Sequence, residues 1–145
     1  MLKELKMHVK TGSISLNTQG STDIQDITKE LERLVYESGL TSGTLTVFCP
    51  SSTSGLTTVE FEPGAVSDLK RLFDELIPSN RNYAHNETWQ DGNGFSHMRA
   101  SLLGPSLSIP FVGKTLTLGT WQQVVYLDFD IRARRRELVV QMVGE

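Results

Sequence analysis

Tyr83-Ala84-His85, followed by Asp91-Gly92-Asn93-Gly94-Phe95-Ser96-His97, is the stretch on which the reading of this chain turns. Two of the chain's three histidines fall in it, among glycine, asparagine and acidic residues. A buried core has little use for such residues, because each unpaired polar group costs free energy when it loses water. A metal or substrate site does use them. Neutral imidazole is a common metal ligand, and two of them with a carboxylate such as Asp91, or with water, suit zinc or a similar ion. Eleven residues separate His85 from His97, so the segment must fold back for both to serve one point. Two histidines on a loop also read simply as surface residues.

The surrounding chain bounds the answer. Its 145 residues match one ordinary domain, expected to span 1–145. Apolar residues make up 38%, enough for a core at this length. The formal charge of −3 supplies no drive toward nucleic acid or an anionic membrane. No apolar run approaches the roughly 20 residues of a membrane helix. Met1-Leu2-Lys3-Glu4-Leu5-Lys6 is basic but leads into no long apolar segment, so it does not read as a signal peptide. Cys49 is the only cysteine, which fits a reducing cytoplasm.

Period and punctuation give an element order. Leu5, Met7 and Val9 alternate with Lys6, His8 and Lys10, as in a strand with one wet face, and Gly12 breaks the run. Ile14 and Leu16 start a second strand, which suggests a hairpin. Thr22 and Gln25 form a capping box for a helix carrying Ile24, Ile27, Leu31, Leu34 and Val35, stopped by Gly39. Strands are expected at 44–49 and 56–61, and Val66, Leu69, Leu72, Phe73 and Leu76 mark a second helix that ends at Pro78. Residues 79–94 read as a loop and 95–103 as a short helix. Strands follow at 106–109, 120–129 and 136–143. The order ββαββαβββ, with about seven strands and two main helices, is an α+β class. Residues 120–129 carry apolar weight on both faces, which suggests a sandwich or an oligomer interface.

Other residues carry chemistry. The segment from Ser51, Ser52 and Thr53 to Gly55 offers hydroxyl and backbone N–H groups to phosphate oxygens, and reads equally as an ordinary polar turn. Glu60 at a strand end suits a general base or a metal ligand, or a solvated edge charge. Arg99 suits a bidentate phosphate contact, or a salt bridge. Arg132, Arg134, Arg135 and Arg136 form a basic turn, with Arg134 and Arg136 expected on one side and Arg135 on the other. Trp121 reads as a core or interface aromatic, His8 as surface and Cys49 as buried.

The Tyr83-x-His85 element, His97 ahead of Leu102-Leu103-Gly104, and Leu118-Gly119-Thr120-Trp121-Gln122-Gln123 resemble the YjbQ-like family, known as secondary thiamine-phosphate synthases. The resemblance spans most of the chain. It implies a seven-stranded, β-sandwich-like fold that forms homotrimers. It also implies a pocket for a phosphorylated small molecule, with Glu60, His85 and His97 as catalytic residues. Ser51, Ser52, Thr53 and Arg99 would be phosphate contacts, and His85 and His97, with Asp91 as a further candidate, ligands of a divalent zinc or magnesium ion. Most members place a third histidine just after the strand-ending proline and an Asn before the kept Glu60. Here Ser51 and Val59 stand at those places, so the resemblance implies a subgroup lacking one of the usual histidines. Three functions follow as expectations: a transferase like thiamine-phosphate synthase, a metal-dependent hydrolase, or a non-catalytic trimeric small-anion-binding protein.

Overall fold

Residues 123–129 are apolar on both sides, and the fold is built by covering both. A computed structural model describes residues 4–145; Met1 to Lys3, part of the N-terminal reading above, lie outside it. The order is β1 (His8–Thr18), β2 (Asp23–Asp26), α1 (Thr28–Ser38), β3 (Gly43–Phe48), β4 (Ser54–Val59), α2 (Pro63–Leu76), α3 (Ala84–Trp89), α4 (Gly94–Leu103), β5 (Ser106–Val112), β6 (Thr115–Leu116), β7 (Gln123–Asp128) and β8 (Arg134–Gly144). A five-stranded sheet, β1-β8-β3-β5-β6, faces a three-stranded sheet, β2-β7-β4. The α+β class and sandwich-like architecture are therefore as expected.

β7 is the centre of the smaller sheet, paired antiparallel to β2 and to β4. Val124 and Tyr126 enter a core shared with Leu45, Val47, Phe111, Leu138 and Val140 of the larger sheet and with Ile27, Leu31 and Val35 at the start of and along α1. Val125, Leu127 and the following Phe129 enter a second core under α2 and α4, with Phe73 and Ala100. The rings of Phe73 and Phe129 lie 4.8 Å apart. Both faces of β7 are thus covered within one chain, so the two-sided pattern does not call for an oligomer. Layering of the two sheets and the helices accounts for it.

Four expectations are corrected by local causes. The proposed hairpin at 5–16 is one strand, β1, running through Gly12 and paired to β8 from His8↔Gly144 to Thr18↔Arg134. Gly12 ends nothing; it makes room, since a Cβ there would meet Leu34 Cδ2 at 3.0 Å. The helix starts at Thr28 and not near Thr22, because Ile24 belongs to β2 and serves the second core. No Thr22/Gln25 capping box forms; Asp26 accepts hydrogen bonds from the Thr28 backbone N–H and hydroxyl instead. The loop at 79–94 contains α3, and β6 is a two-residue strand with no sequence period of its own.

The helix carrying His97 is seated by glycine. A Cβ on Gly55 of β4 would meet Gly104 O at 2.8 Å and the Leu103 side chain at 2.9 Å, so α4 lies against β4 only because residue 55 has none. Gly94 admits Tyr83 in the same way, with a contact of 2.5 Å to its Cβ position. The two segments that bear His85 and His97 are thereby folded against each other at one end of the sandwich.

Candidate functional site

At that end a cavity of about 510 Å3 opens, within the 300–1,000 Å3 range common for small-molecule sites. Ser51, Ser52 and Thr53 before β4, His85 and Trp89 on α3, Asp91, Asn93, and His97 on α4 line it. Asp130, from the β7–β8 connection, and Arg134 and Arg136, at the start of β8, complete it.

The two histidines meet. Their ring centroids are 4.2 Å apart with planes tilted by 37°. His85 Nδ1 lies 3.6 Å from Asp91 Oδ1, too far for a hydrogen bond, and is buried without a partner. Burial, then the neighbouring His85, depress the pKa of His97 below its ordinary 6.5, so its neutral form is favoured at pH 7.

Opposite them stand two arginines held by buried carboxylates. Arg136 donates from Nε to Asp128 Oδ2 at 2.8 Å and from Nη2 to Asp128 Oδ1 at 3.0 Å, a bidentate pair. Asp128 is fully buried. The same Nη2 reaches the Thr53 hydroxyl at 2.8 Å. These bonds leave Nη1 without a protein partner among the described residues. Burial opposes the charge on Arg136, but its bonds and attraction to Asp128 outweigh that and raise its pKa. Arg134 is half-exposed and touches Asp130 Oδ2 at 3.4 Å, leaving most of its donors free.

Asp128 and Asp130 are themselves held by several donors. Asp128 also accepts from the Thr18 hydroxyl at 2.6 Å and the Asp130 N–H at 3.1 Å. Asp130 accepts from the Arg132 N–H at 3.0 Å and the Thr53 hydroxyl at 2.9 Å. Burial acts to raise the pKa of Asp130, yet these donors and Arg134 hold it below the usual 3.8. Asp128 and Asp130 thus serve to fix the two guanidinium groups, while Asp91 stands on the histidine side of the cavity.

Two residues assigned to the site by sequence lie elsewhere. Glu60 lines a separate groove with Lys29, Glu32, Phe61 and Trp121. β4 ends at Val59 and carries Glu60 to the end of the strand away from Ser51. Arg99 is buried in α4 and fully engaged: it donates to Ile77 O at 2.9 Å, Thr22 Oγ1 at 3.0 Å and Asp74 Oδ1 at 3.1 Å. Its guanidinium also lies 4.9 Å from the Phe95 ring centre. Arg99 ties α4 to α2 and to the segment before β2, which is a structural task. Arg134 and Arg136 supply the cations instead. Trp121 is 73% exposed and is not a core residue. Gln122 serves backbone and neighbour, accepting from Gly119 N–H and donating to Thr58. Cys49 is buried, and burial pushes its thiol up, so it is no nucleophile.

The residues missed by sequence reasoning are Asp128, Asp130, Asn93 and Trp89. One signal was present: two acids close the apolar run of β7 just before the arginine-rich start of β8, and opposite charges four to eight residues apart across a turn can pair. Metal coordination is less well prepared. Among the described residues no three or more His, Cys, Asp or Glu side chains converge to hold an ion, so His85, His97 and Asp91 do not make a finished cage.

Comparison with known proteins finds relatives along almost the whole chain. Residues 12–145 match the family described as UPF0047 protein YjbQ-like. A UPF0047 protein of Methanothermobacter thermautotrophicus is 33% identical over 139 residues, 96% of this chain and 95% of that protein. The Bacillus subtilis UPF0047 protein YugU is 33% identical over 91% of this chain and 98% of its own length. A crystal structure of a YbjQ-like protein of unknown function from Sulfolobus solfataricus superposes with a TM-score of 0.92 at 28% identity, covering 97% of this chain and all of that one. A YjbQ/UPF0047 protein of Clostridium acetobutylicum gives 0.82 at 34% identity, covering 90% and 98%.

Proposed function

The chain belongs to the UPF0047 YjbQ-like family, and from that premise we propose that its pocket binds and transforms a phosphorylated small molecule. One observation carries the reading: Arg134 and Arg136, held by Asp130 and buried Asp128, line a single cavity together with a close pair of histidines. Guanidinium groups fixed in advance favour phosphate oxygens by paired, charge-assisted hydrogen bonds. Preset donors of this kind also stabilise charge that develops on a departing phosphate or diphosphate. In a transferase of the thiamine-phosphate synthase kind, the C–O bond to diphosphate breaks and the leaving group takes the electron pair. A ring nitrogen of the acceptor, which has no proton to lose, forms the new C–N bond to that carbon, and Arg134 and Arg136 would hold the departing diphosphate.

Calorimetric titration with pyrophosphate tests the binding step. Arg134→Met, at a half-exposed position, is expected to weaken binding at least tenfold, about 1.4 kcal/mol. Glu60→Gln, outside the cavity, leaves it unchanged. Pyrophosphate that binds both variants alike, or fails to bind the wild type, sinks the proposal.

A divalent ion on His85 and His97 is the second reading, favoured by the unpartnered His85 Nδ1. It would leave room for hydrolysis of phosphate esters, or for anion binding without turnover. We also propose a cytoplasmic homotrimer. The outer face of the larger sheet supports self-association: the cross-strand rows Val9-Val143-Thr44-Pro110 and Ser13-Val139-Phe48-Ser106 carry no charge. Val9, Val139, Val143 and Phe48 in them are exposed. These uncharged rows, at the end of the face away from Arg135 and Glu137, match the core of a protein interface. Among the described residues no helix is long and apolar enough to cross a membrane.

A further inference from the structure

Beside the histidine pair lies a second chamber of about 390 Å3. Ser51, Ser52, His85 and His97 line both chambers, so the two adjoin at the histidines. Their chemistry differs. The first holds Arg134, Arg136 and Asp130; the second is walled by Met98, Ala100, Ser101, Pro105 and Ser54, with no charged residue. Met98 is 46% exposed, an unbranched apolar side chain at a cavity wall with little packed on it. Ser54 contributes to the wall, but its side chain shares the β4 face of Leu56 and turns toward Tyr126 in the core between the sheets. His85 Nδ1, at the boundary between the two chambers, is buried without a partner.

We propose that the second chamber seats the non-phosphate part of the ligand, and that this part is a compact, uncharged, largely apolar group. The inference rests on the phosphate reading of the first chamber and names the class of ester it takes. The phosphate sits between Arg134 and Arg136, the ester linkage passes the histidine pair, and the apolar group packs against Met98, Ala100 and Pro105. Phosphate esters of polyhydroxylated or charged alcohols fit poorly, because the chamber offers their polar groups few partners.

The test uses the full chain and three probes in calorimetry: inorganic phosphate, glycerol 3-phosphate and benzyl phosphate. Benzyl phosphate is expected to bind at least tenfold more tightly than glycerol 3-phosphate. Ser101→Phe, at an exposed position on the chamber wall, should abolish that preference and leave inorganic phosphate affinity unchanged. Equal affinities for the two esters, with phosphate still bound, overturn the second chamber and leave the first intact. The chamber is also read without any phosphate, by the methyl resonance of Met98 during titration with benzyl alcohol. A shift that Ser101→Phe removes supports the chamber even if no anion binds, which is the result that would fell the phosphate reading alone. No shift, with no preference among the esters, ends the inference.

Discussion

Replacing Arg136 by Met separates the two duties assigned to that residue. Its guanidinium neutralises Asp128, which is fully buried, through bonds of 2.8 and 3.0 Å. Removing one partner of a buried pair leaves a charge without compensation, at about 3–5 kcal/mol. Asp128 keeps the Thr18 hydroxyl and the Asp130 N–H, which points to the low end, about 3 kcal/mol. For a chain of this length each kcal/mol lowers the melting temperature by about 4 °C, so a drop of about 12 °C is expected. Arg134→Met is the matched control: its side chain is 42% exposed and 3.4 Å from Asp130, a contact worth less than about 1 kcal/mol after solvent screening. The double variant Asp128→Asn/Arg136→Met should recover part of the loss, because the stranded charge is gone. Urea unfolding followed by circular dichroism measures all four proteins, and pyrophosphate titration of the folded variants reads the second duty. Equal costs for Arg136→Met and Arg134→Met would show that Asp128 does not depend on Arg136. The claim that buried acids orient the pocket's cations would then fail.

Three further outcomes are expected. His97 has a depressed pKa, so as pH falls below 6.5 the unfolded chain takes up a proton that the folded chain refuses; stability declines through that window down to the folded pKa. His97→Gln lacks this term, and a wild-type deficit relative to it that fails to grow between pH 8 and pH 5 in urea titrations contradicts the assignment. Ser51 lines both chambers with His85 and His97, so Ser51→His is expected to tighten zinc binding at least tenfold, about 1.4 kcal/mol, and unchanged calorimetric affinity would show that position 51 does not face the pair. Val139→Glu places a charge in the outer face of the larger sheet and should convert a trimer to a 16.2 kDa monomer in light scattering, whereas a monomeric wild type refutes self-association through that face.

What could be read in advance, and what could not, divides along a physical line. Alternation in 124–129 and the helical spacing of Leu31 and Val35 report burial, and burial follows from local pattern, so the layers were legible. The break at Gly12 misled because glycine both interrupts strands and permits close packing, and only the position of Leu34 decides between them. Ile24 misled because i, i+3 and i+7 fit a helix even when the first of them sits in a four-residue strand. The site divides in the same way. His85 and His97 announced themselves by residue type, but Glu60 and Arg99 differ from Asp128 and Arg136 in nothing a single sequence displays. Arg136 lies on the larger sheet and Asp128 on the smaller, and Thr18 and Thr53 come from two other strand ends. Their meeting is a property of how the sheets stack. Alternation does tell that Arg134 and Arg136 share a side of β8. That the side is the cavity's follows only when the end of β7, in the other sheet, brings Asp128 and Asp130 to it, where they pair with the two arginines. The placing of two cations at one cavity thus comes from how the sheets stack, not from composition, in a chain whose net charge is −3.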